Sequence, residues 1–151
     1  MKKALLIGNS GVGKTTLIQR LMGESLNYRK TQMVEYHQGF IDTPGEYLEH
    51  PHYYSALVVT AADADLVGLL HSCDNSDFWL PPAFAASFAQ PVFGIVSKAD
   101  LAASKEDVQF AVDVLKRAGA GRVFVVSAIN NTGIKQLYNF ISAAPEGVGR
   151  H

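Results

Sequence analysis

The sequence predicts an α/β domain of three layers, a mainly parallel sheet of five to six strands with helices on both faces. Three observations carry this. Short apolar runs alternate along the chain with segments whose apolar residues recur at helical spacing. The strand candidates are continuous apolar runs, as expected of strands buried on both faces. A glycine-rich turn joins the first strand candidate directly to the first helix candidate.

The elements follow in order. Lys3 to Ile7 (KALLI) has strand length. Leu17, Ile18, Leu21 and Met22 then mark a helix from Lys14 to about Met22. Gly23 to Met33 is polar and irregular. Val34 to His37 is a short strand candidate, and Gly39 to Asp42 a second one that runs into the turn Asp42-Thr43-Pro44-Gly45. Pro51 suits the first position of a helix reaching about Ala62, with Tyr54, Leu57, Val58 and Ala61 on one face. Asp65 to Ser72 reads as a buried strand, and Cys73 to Pro82 as a loop. Ala83 to Phe88 is a weakly signalled short helix, and Pro91 to Ser97 the next buried strand. Ser104 and Asp107 resemble a capping box opening a helix with Val108, Ala111, Val112 and Leu115 inward, closed by Gly119. Arg122 to Ser127 is the last strand, and Ile134, Leu137, Tyr138 and Ile141 mark the last helix. The expected organisation is one domain over residues 1–144, with 145–151 a mobile tail.

Composition narrows the function. The 151 residues are 48 % hydrophobic and 18 % charged, which suits one globular core. Net charge is −1 and no basic stripe occurs, so nucleic acid is not the expected partner. Cys73 is the one cysteine, which excludes an internal disulfide and fits a reduced, cytoplasmic compartment. No run of about 20 apolar residues exists, so no membrane span is expected.

The chemistry concentrates at the ends of strands. Gly8-Asn9-Ser10-Gly11-Val12-Gly13-Lys14-Thr15 fits a phosphate-binding P-loop, between the strand and helix that such a loop requires. Glycines let successive N–H groups converge on one anion, and the helix, through Thr16, adds free N–H groups and the positive end of its dipole. Lys14 would reach the β- and γ-phosphates, and the Thr15 hydroxyl would ligate Mg2+. Asp42-Thr43-Pro44-Gly45 resembles the D-x-x-G element of GTPases, which implies that Asp42, ending an apolar strand, holds the outer shell of that ion and that the Gly45 N–H meets the γ-phosphate. Ser97-Lys98-Ala99-Asp100 resembles the [N/T]-K-x-D element of GTPases, which implies that the Asp100 carboxylate accepts two hydrogen bonds from guanine N1–H and its 2-amino group, a pair adenine lacks. The Lys98 stem can lie along the ring face. In an α/β sheet, ligands gather where these motifs stand, at the carboxyl ends of the strands.

Together these motifs, spanning residues 8 to 129, resemble the small P-loop GTPases. Ser127-Ala128-Ile129 is similar to their Ser-Ala-x element, whose backbone contacts guanine O6. Thr31 is the one threonine in the irregular stretch and stands where a switch threonine meets Mg2+ and the γ-phosphate. The phrases YRKTQ (28–32), FIDTPGEYLE (40–49) and TAADAD (60–65) resemble the EutP/PduV family. That resemblance implies a nucleotide-binding fold, a link to ethanolamine and propanediol utilisation and to bacterial microcompartments, and an acetate kinase role for EutP-type members.

Several positions depart from the GTPase pattern. Ser97 replaces the usual Asn or Thr that ties its loop to the P-loop, a weaker tie by expectation. Glu46 stands in place of the water-orienting Gln of Ras-like proteins, and Ser10 in place of a glycine kept clear for an incoming arginine. Gly11 occupies the Asn position of potassium-activated GTPases, so no potassium dependence is expected. Arg29 lies two residues before Thr31, near the place of the catalytic arginine of heterotrimeric G-protein α subunits but one residue closer. Arg29 and Lys30 are also the nearest candidates to hold a substrate carboxylate. His50 and His52, without a third ligand, read as solvated surface, and Tyr47, Tyr53 and Tyr54 as helix packing. Phe78, Trp79 and Leu80 read as cover for the sheet edge.

Three functions compete. The first is a Mg-dependent switch that binds GTP and GDP and hydrolyses GTP slowly, using Lys14, Thr31, Gly45, Glu46 and Arg29. The second is a phosphotransferase, an acetate kinase using ATP. The third is a nucleotide-binding partner of microcompartment shell or enzymes with little turnover.

Overall fold

The computed structural model describes residues 3–23, 34–37, 39–74 and 80–143, and of 35–37 the backbone alone. The expected strands form one six-stranded sheet in the order β2-β3-β1-β4-β5-β6. They are β1 (Ala4–Ile7), β2 (Glu35–His37), β3 (Phe40–Asp42), β4 (Leu66–Ser72), β5 (Val92–Ser97) and β6 (Val123–Val125). Among the described residues, only the β2–β3 strand pair is antiparallel; the other five strands run parallel. Successive side chains of a strand point to opposite faces, so each buried strand feeds two cores. Leu5, Ile7, Val67 and Leu69 join one core, and Ala4, Leu6, Leu66 and Leu70 the other. Every residue of β4 is buried, which is why no alternation shows in its sequence.

Two helices cover each main face. On one side lie α3 (Tyr54–Ala61) and α4 (Lys105–Arg117), through Leu57, Ala61, Ala111, Val114 and Leu115. On the other lie α1 (Lys14–Leu21) and α5 (Ile134–Ala143), through Leu17, Ile18, Leu137 and Ile141. The α4 start behaves as its sequence signals. Ser104 Oγ accepts from the Asp107 N–H at 3.4 Å, and the Asp107 carboxylate reaches back to the Ala103 N–H at 2.9 Å.

Some elements differ from the sequence pattern. The segment from Pro51 begins as a 3-10 turn, Pro51–Tyr53, and becomes α-helical only at Tyr54. A separate four-residue helix, α2 (Glu46–Glu49), precedes it; one turn is too short to show a period. Val58 is 39 % exposed and Tyr138 40 % exposed, so neither sits on the inward face assigned to it. Phe140 packs partly against the core on α5, and Val114 is buried on α4. The short helix at Ala83 to Phe88 is a 3-10 turn, Phe84–Ser87, whose flanking Phe88 is buried with Phe84. The last strand ends at Val125, and Ser127 makes an isolated bridge to Thr132 instead. Leu80 is buried in the α3–α4 core, consistent with a covering role. Phe78, Trp79 and the tail 145–151 lie outside the described residues. Among the described residues, no helix is long and apolar enough to cross a membrane.

The sheet is packed tightly enough at β4 to test. A Cβ added to Gly68 would lie 2.8 Å from Phe93 and 2.9 Å from Leu6, both fully buried. Gly68→Ala should therefore lower stability by about 1–3 kcal/mol through overpacking, read as a lower urea midpoint. An unchanged midpoint would show that this interface gives way freely.

Candidate functional site

The phosphate loop leaves β1 and ends in α1, with Asp42 beneath it. Parallel pairing sets Leu6 of β1 opposite Asp42 of β3, so the carboxylate arrives next to the loop. Asp42 is fully buried. Its Oδ2 accepts from the Thr15 hydroxyl at 2.7 Å, and its Oδ1 lies 3.2 Å from Lys14 Nζ. Lys14 and Thr15 are themselves buried. A buried carboxylate loses its hydration, and these partners replace it. The Thr43 hydroxyl donates to the Leu6 carbonyl at 3.0 Å and closes the same junction from the other side.

The turn after Asp42 folds onto the loop. A Cβ on Gly45 would lie 2.3 Å from the Ser10 nitrogen and 2.7 Å from the Asn9 carbonyl carbon, so only glycine admits this approach. Glu46 begins α2 and is exposed. Three residues on, Glu49 Oε2 accepts from the Ser10 N–H at 2.7 Å. His50 and His52 are exposed, and among the described residues no cluster of three or more His, Cys, Asp or Glu could hold a metal alone. Tyr47 stacks on Tyr53 with ring centroids 4.8 Å apart, and Tyr54 packs edge-on to Phe84. These rings brace the turn, as helix packing would have it.

The opposite side of the loop borders a cavity of about 340 Å³ lined by Gly13, Thr16, Ser97, Lys98, Asp100, Ala128 and Ile129, among others. Ser97 ends β5, and its hydroxyl donates to the Val12 carbonyl at 2.6 Å in a buried bond. The tie expected to be weak is therefore made, because a short side chain reaches a backbone acceptor that β5 carries close to the loop. Lys98 takes a left-handed conformation (φ 57°), and its ammonium donates to the Gly11 carbonyl. Asp74 stands 3.9 Å from that ammonium. The Ser127 hydroxyl donates to Asp100 Oδ1 at 2.7 Å and accepts from the Asn130 N–H. A carboxylate held this way keeps further acceptor capacity. Arg20 Nε of α1 donates to the Ala128 carbonyl at 2.8 Å, which fixes the Ser127-Ala128-Ile129 turn over the cavity. Ile129 is 63 % exposed, at the mouth. Nearby, burial pushes the Cys73 thiol pKa up, as do the negative charges of Asp107, Asp74 and Asp100.

The described residues among those singled out in the sequence fall into two adjoining groups, with Glu46 exposed beside the first. Gly8 to Thr16, Asp42 and Gly45 form one half, and Ser97, Lys98, Asp100, Ser127, Ala128 and Ile129 the other. Arg29 and Thr31 lie outside the described residues. Three contributors were not legible in advance: Thr43, Arg20 and Glu49. Each acts through a bond to backbone remote in sequence, and no spacing rule signals such a bond.

A family model, PduV-EutP of ethanolamine utilisation and propanediol utilisation, matches residues 1–143. The chain belongs to the PduV-EutP family. Among its relatives is the propanediol utilization protein PduV of Citrobacter freundii, 43 % identical over 145 residues and 95 % of each chain. Another is a protein of Escherichia coli K12 named probable acetate kinase EutP, 32 % identical over 95 % of this chain and 91 % of that one. A more distant match is the GTPase Era of Afipia carboxidovorans, 31 % identical across 94 % of this chain but only 53 % of Era. PduV-EutP proteins are thereby distant relatives of GTPases, in agreement with the parallel sheet covered on both sides.

The Ser97 bond is made at one of the positions where this PduV-EutP chain leaves the usual GTPase side chain. Ser97→Ala strands a buried carbonyl. It should cost about 1–3 kcal/mol of stability. Ser97→Thr, which keeps the hydroxyl, should recover most of this in a urea titration. Equal stability of Ser97→Ala and the unaltered protein would show that the bond contributes nothing.

Proposed function

We propose that the protein is a Mg-dependent guanine nucleotide-binding protein of ethanolamine or propanediol utilisation, a switch that hydrolyses GTP slowly. The observation that supports it best is the pairing of the two halves of the site. A phosphate loop with a buried Lys14–Asp42–Thr15 cluster adjoins a cavity bordered by Asp100, whose carboxylate Ser127 orients. Guanine offers Asp100 two donors, and adenine offers none in that place.

The residues present fit a metal bound together with a nucleotide. Mg2+ takes oxygen ligands, keeps several waters and relies on substrate phosphates. The Thr15 hydroxyl and the Asp42 carboxylate supply oxygens on one side, with Thr31 the expected third protein contact, and the phosphates must supply the rest. When bound, the ion would neutralise charge developing on the phosphates. Lys14 would exchange its bond to Asp42 for one to the phosphates. Gly45 would offer its N–H to the terminal phosphate, and Glu46 follows it where a water would be oriented. A carboxylate there repels the γ-phosphate, which suits slow intrinsic turnover, with Arg29 or a partner supplying positive charge. We place the protein in the cytoplasm, with microcompartment shell or enzymes as candidate partners.

A second reading is favoured by the relatives named probable acetate kinase. In that case ATP would serve as donor and a small carboxylate as acceptor. One experiment separates the two. Phosphorus NMR follows GTP or ATP with and without acetate: release of inorganic phosphate from GTP supports the switch, and acetyl phosphate formed from ATP supports the kinase.

The base preference itself is testable by calorimetry. GDP should bind more tightly than ADP, and Asp100→Asn should erode that difference by about 1–3 kcal/mol, the scale of a charged hydrogen-bond pair. Equal affinity for GDP and ADP in the unaltered protein would move the assignment to an ATP-using enzyme.

A further inference from the structure

We infer that Glu49 sets the balance between nucleoside diphosphate and triphosphate by occupying the place on the phosphate loop that the terminal phosphate needs. This rests on the nucleotide-binding reading above. The loop has two distinguishable ends. Gly11 and Gly13 border the cavity assigned to the base. Ser10 and Asn9 border Gly45, at the other end. A nucleotide with its base in the cavity lays its phosphates away from it, so the terminal one arrives beside Ser10 and Gly45.

An anion already stands there. Glu49 Oε2 accepts from the Ser10 N–H at 2.7 Å, a charge-assisted bond of the kind such loops offer to phosphate. The carboxylate is delivered by a braced turn and not by a free side chain. Leu48 beside it is buried in the core. The Leu48 N–H donates to the Gly45 carbonyl at 3.1 Å, and the His50 N–H to the Glu46 carbonyl at 3.1 Å. The Tyr54 hydroxyl donates to the Leu48 carbonyl at 3.3 Å. Glu49 itself is exposed, so its ion can leave into water.

The consequence is a competition. A γ-phosphate and the Glu49 carboxylate contend for one donor and repel each other, so a triphosphate binds only as the Glu49 side chain gives up its hold on Ser10. A diphosphate ends short of Ser10 and meets no such conflict. Glu49 therefore weakens the triphosphate selectively and couples its arrival to release of the Glu49 carboxylate from Ser10.

Calorimetry with Mg·GDP and with Mg·GTPγS, a slowly hydrolysed triphosphate, tests this on the full chain. The proteins are the unaltered one, Glu49→Gln and Glu49→Ala. Mg·ADP and Mg·ATPγS are run in parallel so that the readout survives an adenine preference. Both variants should tighten the triphosphate by about fivefold or more while the diphosphate stays within about twofold. If diphosphate binds but the two nucleotides shift together, or neither shifts, Glu49 is a structural contact only and the nucleotide-binding reading stands. If no diphosphate binds to any of the three proteins, the nucleotide-binding reading falls and the inference falls with it.

Discussion

The site depends on one buried carboxylate. Asp42 has no exposure to water and must be compensated where it lies. It is compensated by the two residues that begin α1, Lys14 and Thr15. That contact joins the end of β3 to the start of the helix that follows β1. The β1–β3 register brings the carboxylate there, and Thr43 secures the same register from the next position. Three residues beyond Asp42, the chain is still close enough for Gly45 to touch Ser10. The geometry of the phosphate loop thus follows from strand pairing, through a single charge.

The other half of the site is tied to the same loop by its carbonyls. Ser97 and Lys98 donate to the carbonyls of Val12 and Gly11, while Arg20, a helical turn beyond the loop, holds Ala128. The loop therefore offers its N–H groups on one side and spends its carbonyls on the neighbouring loops. These bonds join the glycine-rich loop to the loops after β5 and β6. Asp100 takes its hydrogen bond from Ser127, a residue separate from those that hold Asp42.

Much of this was legible in the sequence, and the reason is local. Strands buried on both faces read as unbroken apolar runs, and β4 is buried at every position. The P-loop and the two later motifs fell at strand ends, where a parallel sheet gathers its ligands. What escaped was either too short or too distant. The α2 helix has one turn and no period. Val58 and Tyr138 fit a helical stripe by spacing, yet the neighbouring elements do not reach them. Glu49 meets Ser10 across 39 positions and Arg20 meets Ala128 across 108, and both bonds end on backbone, which carries no residue code. Ser97 was readable as a departure but not as a working substitute, because its partner is a carbonyl placed by tertiary packing.

The central claim is that the two halves form a single nucleotide site. Amide chemical shifts of nitrogen-15-labelled protein, followed while Mg·GDP is added, test it most directly. The account predicts that residues 8–16 move together with 97–100 and 127–129 along one saturation curve. Shifts confined to one half, or none in the phosphate loop at saturating nucleotide, would contradict it.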